Sequence, residues 1–132
     1  MSTEALFNLS AIAAILAGIC IIAGTLLTDL LKVKSPFGTV FNFLGALIGL
    51  FGITGIYLWQ RAEAGIFGLV AYIVVFIGLA LIACIDYSGA FVTPNLPEEQ
   101  IAHLGKSSTM QVIIISSLIF LVGEVLFGVA TI

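Results

Sequence analysis

The sequence predicts an all-α membrane protein: four antiparallel transmembrane helices, with a short interfacial helix before the last. Three observations carry this. Of the 132 residues, 61% are hydrophobic and only 8% are charged, where a soluble domain has about 25% charged residues. The apolar residues fall into four runs, at about residues 5–31, 36–59, 65–85 and 109–132, each near the ~20 residues that carry a helix across a bilayer. Small residues recur along these runs at steps of three and four. In water a glycine inside a helix costs about 1 kcal/mol, but in lipid it lets a neighbouring helix come close. The whole chain reads as one bundle.

The first span, 5–31, follows Ser2 or Thr3 as cap, with Glu4 in the first turn at the positive end of the helix dipole. The acidic N-terminus lacks the basic region of a signal peptide, so this span reads as retained. Ala13, Ala17, Cys20, Gly24 and Thr28 form a row of small residues along it.

The second span, 36–59, restarts at Ser35-Pro36, a cap followed by a first-turn proline. Gly38, Asn42, Gly45, Gly49 and Gly52 repeat the same four-three spacing. A short connection makes the two spans antiparallel neighbours, so the two rows are expected to face each other. Asn42, on that row, is expected to hydrogen-bond to another helix, a contact of about 0.6–2 kcal/mol. Tyr57 and Trp59 end the span as interfacial aromatics.

Residues 60–64 read as a very short turn that sets the third span, 65–85, beside the second. The third span has Gly65, Gly68 and Gly78 but a poor small-residue row. More of its surface is therefore expected to face lipid or a partner.

Residues 86–108 read as a loop. Within it, Pro97-Glu98-Glu99 looks like a first helical turn, Ile101 and Leu104 share a face, and Gly105 can close the helix. This is the expected interfacial helix. Ser108-xx-Gln111 then forms a capping box for the last span, 109–132. Lys32, Lys34 and Lys106 follow spans one and three, and only Arg61 lies on the opposite side. The positive-inside rule therefore favours a multi-pass protein with its N-terminus outside.

With four Lys or Arg and a net charge of −3, the chain lacks the basic patches that nucleic acid requires. Cys20 and Cys84 lie inside apolar runs, without redox or metal spacing, and read as buried small residues. His103 lies four residues after Glu99 and can pair with it across a turn. A metal would need further ligands, so neither a metal nor any other cofactor is expected. No nucleophile–base pair, phosphate loop or paired carboxylates occur in the spans, and the chain is not expected to be an enzyme.

Glu124 is the sharpest feature. It lies about 12 Å below the end of the last helix at 1.5 Å per residue, and an ionisable group at such depth marks function by default. Ser117 and Thr131 flank it at heptad spacing, so a polar row is expected to face protein. Glu124, Asn42 and Ser117 form the intramembrane polar set, and Arg61, on the same side, could ion-pair with Glu124. Three roles stay open for the carboxyl group. It can make a structural bond to Arg61 or a partner subunit, stay protonated against a neighbouring helix, or carry an ion or proton.

Locally, Glu124-Val125-Leu126 resembles the glutamate-bearing last helix of the rotor proteolipids of vacuolar-type ATPases, which are four-span chains of similar size. That resemblance implies the ion-carrying role. The glycine-rich face here is on span two, whereas in that family it is on the first and third.

The expected function is a non-catalytic accessory or structural subunit of a larger membrane complex of respiratory, photosynthetic or transport type. Its partners would be the lipid bilayer and other membrane subunits or copies of itself. The alternatives are a small oligomeric ion- or solute-translocating protein that uses Glu124, or the N-terminal part of a longer polytopic protein. The second alternative is suggested by the missing charged or aromatic flank after Ile132.

Overall fold

A computed structural model describes residues 3–30, 36–104 and 108–131, and among these the chain is helical with no strand. The α-helices are α1 (Thr3–Thr25), α2 (Phe37–Tyr87), α3 (Glu98–Leu104) and α4 (Ser108–Ala130). Three helical stretches, Glu4–Asp29, Phe37–Asn95 and Ser108–Ala130, are long and apolar enough to cross a membrane. The cap at Ser35, the closing Gly105, and Lys32, Lys34 and Lys106 lie outside the described residues.

α2 is 51 residues long and turns back on itself at Gly65, whose φ of 58° and ψ of −150° are not helical. Only glycine occupies that region without strain. Contacts across the turn converge on it. Tyr57 stacks on Tyr72 with ring centroids 4.5 Å apart. The Thr54 and Tyr72 hydroxyls lie 3.0 Å apart, and Phe43 packs on Tyr87 at 5.6 Å. The two arms, residues 37–64 and 66–87, therefore run antiparallel. The turn read at residues 60–64 is helix instead. Gln, Arg, Ala and Glu are good helix formers, and the reversal is made at Gly65. Tyr57, read as an interfacial aromatic, is half-buried against Tyr72, while Trp59 is exposed.

α1 packs on the first arm of α2 through a glycine seam. Gly24 meets Asn42 and Gly38, Gly45 meets Ala17 and Ile21, Gly52 meets Ala14, and Gly55 meets Ser10. The approach is backbone to backbone: a Cβ on Gly52 would stand 2.9 Å from the Ala14 Cα. The contacting row is thus Ser10, Ala14, Ala17, Ile21 and Gly24 on α1, continued by Thr28 in the π-helical turn Leu26–Leu30 that follows it. Ala13 and Cys20, which spacing placed in the row, are half-buried beside it. Ile21 takes the place of Cys20 because its side chain lies over the gap left by Gly45.

The second arm, whose sparse glycines suggested more surface toward lipid or a partner, exposes Ile66, Phe67, Val70 and Ile77 and also carries a buried stripe. Ala71, Val75, Gly78, Leu79 and Ala83 are buried on it. Leu79 and Ala83 pack with Ala46 of the first arm, and Ala71 and Val75 pack with Phe127 of α4. α4 comes close where Gly78 meets the Phe120 backbone and Gly123 meets the Val75 backbone, a Cβ on Gly123 standing 2.6 Å from the Val75 Cα. Alanine and valine complete the stripe that a count of glycines overlooks. α1 and α4 flank α2, and large apolar side chains such as Ile15, Ile22, Leu121 and Val129 point outward from them.

The loop read from residue 86 is largely helical. Ser88–Val92 forms a wide π-helical turn and Thr93–Asn95 a 3₁₀ turn. The Thr93 hydroxyl donates to the Ser88 carbonyl at 3.1 Å, bridging the wide turn. α3 occupies the stretch read as the short helix, with Glu98 and Glu99 in its first turn.

Candidate functional site: the outer face of α4

α4 turns Ser116, Gly123 and Phe127 inward, with Phe120 between them in the contact with the second arm. Glu124 follows Gly123 and is therefore rotated about 100° around the helix. It is exposed on the outside of the bundle, about 9 Å from the end of α4 at 1.5 Å per residue. One turn further on, Gly128 has nothing within 4 Å of where a Cβ would stand. Ser117, also exposed, donates its hydroxyl to the Ile113 carbonyl at 2.9 Å. Thr131 donates to the Gly128 carbonyl at 3.0 Å. The two hydroxyls are thus satisfied by their own helix. Ser117 and Glu124, expected to face protein, lie outside this chain's own bundle.

Arg61 is exposed, and among the described residues no ion pair joins it to Glu124. Its neighbour makes the contact to α4 instead: Gln60 Nε2 donates to the Thr131 carbonyl at 3.2 Å. This bond ties the end of α4 to the first arm of α2 and leaves Gln60 Oε1 buried without a partner. Nothing in the sequence singled out Gln60, which was read as the first residue of the short turn at 60–64.

Asn42 lies in the α1–α2 seam, with its Oδ1 buried against Gly24 and accepting no hydrogen bond. The cross-helix bond expected of it is not made by that oxygen. Glu99 and His103 are both exposed on α3, with no ion pair between them among the described residues. Both cysteines are free thiols; Cys20 is half-buried and Cys84 exposed. Among the described residues, no three His, Cys, Asp or Glu side chains gather as a metal site would need.

Set against protein-family models, curated proteins and solved structures, the chain has no significant match. The functional reading therefore rests on the geometry of this face. What it can do is bind: it offers one carboxyl group, a gap beside Gly128, and a surround of exposed Leu121 and Val125.

Proposed function

We propose that this chain is a non-catalytic, four-span membrane subunit that assembles sideways, through the outer face of α4, with other membrane subunits. Each arm of α2 crosses the bilayer once, and the N-terminus lies outside. One observation carries the reading: Glu124 stands on the outer face of an apolar helix with no ionic partner in the described chain. A carboxylate at the centre of a lipid-facing helix costs about 2.5–3.5 kcal/mol, and Glu124, nearer the end of α4, carries part of that cost. A donor from a neighbouring helix removes that cost, and the gap at Gly128 lets such a helix approach.

Photo-crosslinking tests this. A benzophenone side chain at Leu121 or Val125 should capture a neighbouring chain in native membranes. The same group at Ile15, on the outer face of α1, should capture only lipid. Glu124→Ala should abolish the α4 adducts. Equal capture from α1 and α4, or none from either, would contradict the reading.

The same lone carboxyl group supports a second reading, a small translocating oligomer. Glu124→Gln keeps a hydrogen-bonding group but cannot carry a proton or cation. Loss of ion flux in proteoliposomes with the assembly intact would favour this second reading.

A further inference from the structure

α4 carries two rows of exposed side chains along its length. Met110, Ile114, Ser117, Leu121, Glu124 and Gly128 are all exposed and recur at steps of four and three. Ile115, Leu118, Val122, Val125 and Val129 form the next row around the helix and are exposed too. That second row is branched hydrocarbon throughout, as a face toward lipid would be. From Val112 to Ala130, the exposed residues that are not hydrocarbon (Ser117, Glu124 and Gly128) all lie on the first row. A four-three repeat is the spacing of a left-handed helix pair, the usual crossing in membrane bundles.

The charges of the chain say what fits this row. At the end of the bundle where Gln60 holds the Thr131 carbonyl, the next residue of the first arm is Arg61. It is exposed, and neither it nor Glu124 has an ionic partner among the described residues. Arg61 stands near the level of Thr131, so it lies about 10 Å along the bundle from Glu124, seven residues at 1.5 Å each. One chain thus presents a cation and an anion at the same end without joining them. Copies of one chain insert into a bilayer the same way up. A closed pair of them therefore has its two-fold axis along the membrane normal, and its contacts are reciprocal. Such an axis keeps each Arg61 at the end of the bilayer where Glu124 of the other copy lies.

We infer that the first row of α4 packs in parallel against the same row of a second copy, with each Glu124 carboxylate paired to the Arg61 guanidinium of the other copy. The long arginine stem lies along apolar surface while its head reaches the charge. Gly128, one turn from Glu124 toward that end, leaves room for the approach. Two carboxylates brought together near the axis repel each other. Two guanidinium groups cancel their charge, and removing either member of a pair leaves the other unpaired inside the interface. The inference rests on the sideways assembly through α4 and names its partner.

Two differently tagged versions of the full chain, produced together, test the pairing: one tag is captured from a mild detergent extract and the other is measured. Wild-type chains should co-purify. Arg61→Ala in both versions should lower recovery of the second tag several-fold, and so should Glu124→Ala in both. Arg61→Ala in one version and Glu124→Ala in the other leaves one of the two ion pairs intact, and recovery should rise several-fold above either variant alone. No co-purification of wild-type chains would overturn the inference. So would a mixed pair no better than the unmixed ones, or wild-type recovery with Arg61→Ala in both chains. The mass of the benzophenone adduct at Leu121 separates this inference from the sideways reading itself. An adduct of twice the 13.9 kDa chain supports the pair. An adduct with a chain of another mass overturns the second copy as partner but leaves sideways assembly standing, and no adduct overturns both.

Discussion

At the scale of single residues, glycine does two distinct kinds of work here, and some glycines do neither. Gly52 and Gly123 let backbones touch: a Cβ on Gly52 would stand 2.9 Å from the Ala14 Cα and one on Gly123 2.6 Å from the Val75 Cα. Gly18 and Gly128 have nothing within 4 Å. Gly52→Leu should therefore destabilise the bundle by at least the ~1–3 kcal/mol typical of overpacking, while Gly18→Leu should stay within about 0.5 kcal/mol. Equilibrium unfolding in mixed micelles with rising SDS measures both. Gly38, Gly45, Gly49 and Gly52 were legible because glycine at helical spacing stands out in an apolar run, and all four are buried. The α1 side of the seam was less legible. Two small-residue paths share Ala17, Gly24 and Thr28, and spacing alone cannot choose between Cys20 and Ile21. The depth of Glu124 along α4 could be counted from the sequence. Its exposure could not, because that depends on Gly123 facing Val75.

Among the elements, the least legible were the turn of α2 and the role of its second arm. The helical preference of residues 60–64 hid the reversal, which a single glycine makes at φ 58° and ψ −150°. No side-chain neighbour stands near that position, so a substitution there tests backbone strain alone. Gly65→Ala should lower stability by about 1–3 kcal/mol, the usual cost of a non-glycine residue in a forbidden region. The helical circular dichroism of the folded form should not change. Unchanged stability would mean that the reversal does not depend on the left-handed conformation of residue 65. The buried stripe of the second arm was hard to read for a different reason: it is built mainly of alanine and valine, and of the two glycines that let α4 come close, Gly78 and Gly123, only Gly78 is on this arm. The π-helical turn at Ser88–Val92 extends α2 through residues that carry Gly and Ser, whose composition reads as loop.

For the molecule as a whole, the all-helical class and the apolar, membrane-length helices followed directly from composition and run length. The arrangement of the helices did not, because it depends on which faces pair. α2 lies between α1 and α4, and both edge helices turn large apolar side chains outward. On α4 that outward face also carries a carboxyl group, and this asymmetry between the two edges leads to the central claim of sideways assembly through α4. The most direct test is the intact mass of the particle extracted from its own membranes in mild detergent, together with the mass of each chain in it. The account predicts a particle well above the 13.9 kDa of one chain, with companion chains in fixed stoichiometry that Glu124→Ala releases. A particle containing one copy of this chain and lipid alone would contradict it.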